Sequence, residues 1–275
     1  MSNIEFALAT IGGMLALIAI RVPIGIAMGI SGVLGFGLLS GFAPALNLLA
    51  NVPLSVLTDY NLSVIPMFIL MGAFCSTAGM SRELFDAGLA WVGHRRGGLA
   101  LAAIGACAGF AAINGSSVAT AATMSQVALP EMRKAGYDSG LSAGLIAAGG
   151  TLGIMIPPSV IFVLYGIMTE TDITKLFFAG VVPGLLAVSF YAALVAFIAH
   201  RHPDAFPAGR RHAWRERFKA LRNLWPTLAL FLLVLGSMYL GWVTVTEAAG
   251  LGATGALAIG VLRGQLDRRA VKRAL

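Results

Sequence analysis

Charged residues are scarce in this sequence, and their scarcity excludes an ordinary soluble domain. Asp, Glu, Lys and Arg make up 11% of the 275 residues, whereas soluble domains carry roughly 25%. Hydrophobic residues account for 58%, and the mean hydropathy is +0.85. Apolar runs recur along the chain between short polar loops, so the sequence predicts an all-α polytopic membrane protein.

Residues that usually carry catalysis are also few. Cys75 and Cys107 lie in apolar segments without CxxC or metal-site spacing, so both are interpreted as small buried hydrophobic residues. The four histidines fall in loops, which leaves no Ser–His pair at membrane depth, and the segment GGTLG lacks the Gly-Lys-Ser/Thr of a phosphate-binding loop. We therefore expect no enzymatic activity and no cofactor.

The basic residues lie in loops, so the net charge of +7 does not indicate nucleic-acid binding. Basic pairs at 95–96 and 133–134 flank the apolar run 98–129. The positive-inside rule therefore places both ends of this run in the cytoplasm. Its legs, at 98–113 and 118–129, are too short to cross separately. The run is predicted to form a re-entrant helical hairpin.

The same rule orients the remaining segments. Residues 139–168 cross outward as a discontinuous helix, broken at two prolines, and the next apolar run returns. The N-terminus is then periplasmic, and every Lys and Arg except Lys175 is cytoplasmic. Residues 210–224 carry aromatic and basic side chains on opposite faces, so they form either a helix on the inner membrane surface or an arm against a partner subunit. Ser81 and Glu247 are predicted to cap helix starts.

A faint internal repeat favours an inverted-repeat, ion-transporter-like fold. The segments RVPIGIAMGISGVLG (21–35) and VTVTEAAGLGATGALAIG (243–260) each belong to a pair of apolar helices, and the two pairs begin on opposite sides of the membrane. The predicted divisions are scaffold helices with an interfacial helix (1–93), part of a transport domain (94–168), a return helix with a basic amphipathic arm (169–224) and the truncated start of a second inverted repeat (225–275).

Two interruptions of the apolar runs carry the candidate chemistry, namely residues 114–117 (NGSS) and 149–159 (GGTLGIMIPPS). Unpaired backbone groups in hydrocarbon cost several kcal/mol each, so these breaks must be buried in protein or line a polar cavity. Neither 98–129 nor 141–168 contains Asp, Glu, His, Lys or Arg, which argues against a proton relay. Neutral carbonyls freed at helix ends suit a monovalent cation instead.

The residue types within the breaks define a candidate site. Pro157 and Pro158 lack a backbone N–H, so carbonyls in the preceding turn lose their helical partners. We predict a sodium site between 111–114 and 153–158, with a substrate cavity lined by hydroxyls beside it. Packing or a structural kink alone would also account for these prolines and for the glycines of 144–150. The candidate substrate-cavity residues are Ser116, Ser117, Thr120 and Ser159.

Four stretches resemble the DctM-type large membrane subunit of TRAP transporters. They are AAINGSSVATAATMSQVALPEMRKAGYD (111–138), AGLIAAGGTLGIMIPPSVIFVLYG (143–166), FFAGVVPGLL (177–186) and TVTEAAGLGA (244–253). The resemblance covers nearly the whole chain and implies a sodium-driven secondary transporter of a bacterial or archaeal inner membrane, with elevator-type motion of a transport domain against a scaffold. It also implies a sodium ion held mainly by backbone carbonyls, at positions that correspond here to Ala111, Asn114, Gly153, Ile156 and Pro158.

The same resemblance implies two partners. They are a small four-helix membrane subunit of the DctQ type and a periplasmic DctP-type binding protein that delivers an organic acid, such as a C4-dicarboxylate. Members of the family also carry a second hairpin and a second sodium site in a C-terminal half. These 275 residues do not contain that hairpin, so we expect the chain not to transport alone. Two alternatives stay open: a transport-inactive fragment that serves only assembly or partner binding, and a stand-alone organic anion carrier of similar architecture.

Overall fold

The structure, a computed structural model, describes residues 3–267 and 270–272. These residues form helices joined by short loops, with no strand among them, which confirms the all-α class. The described part also contains 3₁₀ turns at Tyr60–Ser63 and Pro203–Ala205 and a π-helical turn at Leu232–Gly236. The α-helices are α1 (Asn3–Ala19), α2 (Ile24–Ser40), α3 (Phe42–Thr58), α4 (Val64–Thr77), α5 (Met80–Val92), α6 (Gly98–Asn114), α7 (Ser117–Lys134), α8 (Ser139–Gly150), α9 (Leu152–Met155), α10 (Val160–Met168), α11 (Ile173–Arg201), α12 (Trp214–Asn223), α13 (Trp225–Phe231), α14 (Ser237–Tyr239) and α15 (Val245–Leu262).

Several helical segments are long and apolar enough to cross a membrane. Ser139–Met155 and Val160–Met168 together reach this length but meet at an angle of 41°, so the backbone is bent where the two prolines predict a discontinuity. The polytopic membrane class is therefore confirmed. Among the described residues, the unbroken candidate spans are Tyr60–Thr77, Ile173–Arg201, Trp214–Tyr239 and Val245–Leu262.

The first compact unit ends at Asp59 and consists of α1, α2 and α3. Helix α2 packs closely against both neighbours, because a Cβ built on Gly35 would lie 2.9 Å from the Thr10 side chain and one built on Gly37 would lie 2.7 Å from the Phe42 ring. The sequence analysis did not predict α3. Its two prolines and two asparagines are typical of a loop, yet these 17 residues form one helix.

The second compact unit begins at Tyr60 and contains two apolar clusters. In the first cluster α15 packs along α4, where the glycine at 252 leaves room for the sulfur of Met71. The second cluster joins α5, α6, α7 and α8. Helix α6 contributes Phe110 to the first cluster and Cys107 to the second, so it is the central helix of this unit.

One of the two predicted helix caps is confirmed. The carboxylate of Glu247 accepts hydrogen bonds from the N–H and the hydroxyl of Thr244, both at 2.8 Å, at the start of α15. The Ser81 cap is wrong, because α5 begins directly after Gly79, whose φ of 75° turns the chain into the helix. Ser81 is buried within the first turn of α5 and accepts no capping hydrogen bond.

Two predicted boundaries also change. Helices α6 and α7, the legs of the predicted hairpin, are 17 and 18 residues long, and α7 continues through Pro130 to Lys134 instead of ending at 129. At 1.5 Å per residue each leg is about 26 Å, close to the roughly 30 Å of a hydrocarbon core. The argument from leg length is therefore wrong, and the re-entrant orientation stays a prediction based on the flanking charges.

The arm predicted at 210–224 is helical over Trp214–Asn223.

An ion pair joins α5 to the end of α15. Arg263 donates to both carboxylate oxygens of Glu83, over 3.1 and 2.5 Å. Both side chains are largely buried, at 21% and 16% exposed. The partners are 180 residues apart, and the sequence analysis did not predict their contact.

Candidate ion-binding site at two helix breaks

The first break is the two-residue turn between α6 and α7. Gly115 adopts a φ of 66°, and its N–H donates to the carbonyl of Ala111 at 3.1 Å, which ends α6. The Ser116 hydroxyl then accepts from the N–H of Ala119 at 3.4 Å and caps α7. The interruption predicted at 114–117 is therefore present as a tight helix–turn–helix.

The second break separates α8 and α9 from α10. Because Pro157 and Pro158 have no N–H, the carbonyls of Gly153 and Ile154 cannot receive their usual helical hydrogen bonds. The fully buried hydroxyl of Ser159 donates to the Ile154 carbonyl at 2.8 Å and replaces one of them. The Gly153 carbonyl receives no such replacement among the hydrogen bonds of the described residues.

The two breaks are in direct contact. The N–H of Val160, at the start of α10, donates to the carbonyl of Gly115 at 3.1 Å. A Cβ built on Gly115 would lie 2.6 Å from the Pro158 carbonyl oxygen, and one built on Gly153 would lie 2.5 Å from that of Ser116. Glycine is thus required on both sides of the contact, and the predicted juxtaposition of the breaks is confirmed.

Asn114 is held by contacts on two sides. Its side-chain amide donates to the Ser116 carbonyl and to the Thr120 hydroxyl, both at 3.4 Å. Asn114 is 4% exposed and Thr120 is fully buried. On the other side, Gly72 of α4 leaves the room that the Asn114 amide occupies, since a Cβ there would lie 3.0 Å from Cγ and closer still to Oδ1.

The structure places all the predicted site residues at the two breaks, some of them buried and some partly exposed. The five predicted sodium ligands all lie at the facing ends of α6 and α9 or in the gap that follows α9. Thr120 and Ser159 are buried, whereas Ser116 and Ser117 are partly exposed at the tip, so the predicted cavity residues do not form one open surface. The predicted sodium ligands are Ala111, Asn114, Gly153, Ile156 and Pro158.

Some residues around the breaks were not found from the sequence. Gly72 was missed because a glycine in an apolar helix is typical of many packing sites. The hydroxyl of Thr151 lies 3.0 Å from that of Tyr191, which ties the second break to α11. The sequence signal for that contact was Tyr191, a single tyrosine in the apolar part of a 29-residue helix. The packing interpretation holds for Gly149, whose Cβ would lie 2.8 Å from the Cys107 sulfur, but not for Gly144, which has open space around it.

The electrostatics of the site come from the backbone. Neither break contains an ionisable side chain, and no cluster of His, Cys, Asp and Glu able to hold a metal ion occurs among the described residues. The C-terminal ends of α6 and α9 carry partial negative charge, whereas the N-terminal ends of α7 and α10 carry partial positive charge. These ends meet at the contact between the breaks, so opposite partial charges lie side by side.

Comparison with known proteins identifies the family. The chain is 45% identical over 194 residues to the C4-dicarboxylate TRAP transporter large permease protein DctM of Pseudomonas aeruginosa, covering 70% of this chain and 45% of the relative. It is 36% identical to the isethionate TRAP transporter permease protein DctMQ of Oleidesulfovibrio alaskensis, covering 88% of this chain and 38% of the relative. It is 32% identical to the sialic acid TRAP transporter large permease protein SiaM of Vibrio cholerae, covering 92% and 58%.

The chain therefore spans about half the length of the curated relatives that it matches. These relatives are permease subunits and not enzymes, in agreement with the sequence analysis. Residues 11–275 match the model of the family described as the DctM component of the tripartite ATP-independent periplasmic transporters. The chain thus belongs to the DctM family of TRAP transporter large permease subunits.

Proposed function

We propose that the chain is part of the membrane subunit of a sodium-coupled, binding-protein-dependent secondary transporter that imports small organic acids. The contact between the two helix breaks is the observation that supports this proposal. It assembles carbonyl ends, N–H ends and neutral polar side chains at one place without an ionisable group. Such discontinuous helices are where secondary transporters bind substrate and coupling ion.

The sodium ion lies at the carbonyl ends. Ala111 and Asn114 supply oxygens from the end of α6, and Gly153, Ile156 and Pro158 supply them from the second break. The carbonyl of Gly153 has no helical partner, which leaves it free for an ion. The Asn114 amide is held by Thr120, so the polypeptide at the end of α6 is positioned before the ion arrives.

The organic anion lies at the N–H ends. Helices α7 and α10 begin at the contact. The N–H groups of Val160 and Ala119 are already bound to Gly115 and Ser116, and the other N–H groups of these first turns lack helical acceptors. Ser116 and Ser117, which are partly exposed at the start of α7, supply hydroxyl contacts to the substrate. Thr120 and Ser159 act beneath them by holding the breaks in shape. The relative with the highest identity quoted above is named for C4-dicarboxylates, so we propose a dicarboxylate as the substrate.

The partners are a DctQ-type small membrane subunit and a DctP-type periplasmic binding protein. The location is the bacterial inner membrane, with a periplasmic N-terminus and cytoplasmic basic loops. Uptake then requires the assembled transporter, and sodium binding is the part of the function that this chain can show by itself.

Thermal unfolding of the purified chain tests the sodium site. In NaCl the melting temperature should exceed that in choline chloride at equal ionic strength, because a ligand at 100 times its Kd stabilises the folded state by about 2.7 kcal/mol. Asn114→Ala should reduce the sodium-dependent shift, whereas Ala119→Ser, outside the predicted ligand set, should keep it. Equal melting temperatures in both salts would refute the sodium site in this chain. Uptake by the reconstituted full transporter that ignores a sodium gradient would refute the coupling.

A further inference from the structure

A group of buried side-chain nitrogens without hydrogen-bond partners lies where α12 packs against the C-terminal end of α5. Arg217 of α12 is 7% exposed, and its Nε and Nη2 atoms are buried with no hydrogen-bond partner among the described residues. Trp91 Nε1 and His94 Nδ1 are buried and unpartnered in the same way. A guanidinium is always charged and carries five N–H donors, so its burial without an acceptor is unfavourable.

Aromatic rings lie against Trp91 and Arg217. The Trp91 ring lies 6.2 Å from the rings of Trp214 and Phe218 and meets both edge-on. The central carbon of the Arg217 guanidinium lies 5.1 Å from the centre of the Trp214 ring. The four side chains therefore form one cluster, and the guanidinium lies beneath an aromatic cover instead of extending into solvent.

The cluster is positively charged. The one acidic residue of α12, Glu216, is occupied at the start of the helix, where it accepts from the Ala213 N–H at 3.2 Å and contacts His212 at 3.1 Å. Burial and the positive charges of Arg217 and two neighbouring arginines lower the pKa of His94. Donors and positive charge are thus concentrated here without a carboxylate partner among the described residues, which is the composition of an anion site.

We propose that Arg217, together with Trp91 and His94, binds the phosphate group of an acidic phospholipid. A phosphate offers several acceptor oxygens and matches the fork of an arginine. The lipid source follows from the position of α12. Trp214 and Phe218 on this helix are 63% and 60% exposed. A helix with exposed aromatic residues and basic neighbours, leading directly into an apolar span, lies at the headgroup level of a bilayer.

Access to the guanidinium requires movement of the Trp214 side chain. Trp214 covers Arg217, and its indole makes no hydrogen bond to any described residue. In the proposed complex this exposed ring turns away from Arg217 and gives up its contacts with Trp91 and Phe218. The headgroup then replaces the aromatic cover, while the lipid chains lie along the exposed face of Phe218.

Lipid titration of the delipidated chain in detergent tests the proposal, with bound lipid counted by native mass spectrometry. Phosphatidylglycerol should bind at least 10-fold more tightly than zwitterionic phosphatidylcholine, and Arg217→Gln should lose at least 10-fold in affinity for phosphatidylglycerol. Arg222→Gln, a substitution at an exposed arginine of the same helix, should bind as the unmodified chain does. Arg217→Lys keeps the charge but loses the fork, so it should bind with intermediate affinity and serves if Arg217→Gln does not fold.

Several outcomes would overturn the proposal. Equal affinity of the chain and of Arg217→Gln for phosphatidylglycerol would show that Arg217 does not bind the headgroup. Equal binding of the two lipids would remove the requirement for an acidic lipid. Inorganic phosphate that competes at the lipid's own concentration would assign the site to free phosphate, and a carboxylate peptide that competes equally would assign it to a protein partner.

Discussion

The contact between the helix breaks predicts a large effect of a single methyl group at Gly153. A Cβ at this position would lie 2.5 Å from the Ser116 carbonyl oxygen and 2.9 Å from the Ser117 nitrogen. Ordinary contacts of a Cβ begin at 3.4 Å, so Gly153→Ala must separate the two backbones by about 0.9 Å (3.4 minus 2.5). Overpacking of this kind costs about 1–3 kcal/mol, and neither backbone can rotate away as a side chain could.

Gly144→Ala is the matched control. Gly144 lies in α8, and a Cβ there meets no atom within 4 Å. Alanine favours a helix over glycine by up to about 1 kcal/mol, so this variant should be as stable as the unmodified chain or slightly more stable. Gly153 is also in a helix, so the propensity effect largely cancels between the two variants, and they should differ in unfolding free energy by the overpacking cost of about 1–3 kcal/mol.

Thermal unfolding in NaCl and in choline chloride measures both consequences at once. Gly153→Ala should melt several degrees below Gly144→Ala in either salt, and its sodium affinity should fall at least 10-fold, or about 1.4 kcal/mol. Equal melting temperatures for the two variants would refute the contact. A lower melting temperature with an unchanged sodium shift would leave the contact standing but would place the ion elsewhere.

Three further predictions concern other contacts. Gly72→Ala should push the Asn114 amide away from its position, so that sodium affinity falls and stability is lost by about 1–3 kcal/mol, because the new Cβ also lies 3.3 Å from the Asn114 Cα. Glu83→Gln and Arg263→Gln should each destabilise the chain. Exposed ion pairs couple by about 0.2–1 kcal/mol, and a double-mutant cycle on Glu83 and Arg263 should give a coupling energy roughly 1 kcal/mol larger than that. The pKa of His94 is lowered from 6.5, so stability should be lost as pH falls through 6.5, and His94→Gln should flatten that dependence when melting is followed against pH.

Each of these predictions has its own control. Gly105 lies in α6, and a Cβ built there meets no atom within 4 Å, so Gly105→Ala should leave sodium affinity unchanged. If Gly105→Ala lowers sodium affinity as much as Gly72→Ala does, the role of Gly72 is refuted. The exposed pair Arg82–Asp86, at 61% and 56% exposed, should show a weak coupling energy. If the coupling energy of Glu83 with Arg263 is no larger than that of Arg82 with Asp86, burial does not strengthen the ion pair as expected. Identical pH profiles of the chain and of His94→Gln would exclude that histidine as the titrating group.

The sequence predicted the position of the breaks because they depend on local residue types. Prolines 157 and 158 cannot donate backbone hydrogen bonds, and a run of small polar residues at 114–117 cannot continue an apolar helix without cost. The predicted ends of the broken helix, at 139 and 168, agree with the ends of α8 and α10. The side-by-side placement of the breaks was predicted from chemistry and is confirmed by the Val160–Gly115 hydrogen bond.

The sequence analysis missed features that depend on distant partners. The room that Gly72 leaves for Asn114, and the ion pair of Glu83 with Arg263, join residues that no local pattern relates. It also missed α3, whose asparagines and prolines have low helix propensity and which buries Ala45 alone among its residues. The wrong cap at Ser81 has a local cause instead, since a left-handed glycine two residues earlier starts the helix.

The geometry of the second break explains how a cation and an anion could affect each other in the proposed site. The residues between α9 and α10 present carbonyls at one end and the N–H groups of α10 at the other, separated by four residues. The Val160–Gly115 hydrogen bond ties this segment to the tip between α6 and α7, so neither break can shift alone. An ion that draws the carbonyls into place also fixes the N–H groups, and the effect on affinity must be reciprocal. In the assembled transporter, sodium should therefore raise the affinity for the organic acid by the same factor as the acid raises that for sodium. Isothermal titration of each ligand in the presence and absence of the other measures this factor, and a factor of one, with neither ligand changing the affinity for the other, would show that the ligands do not share this element.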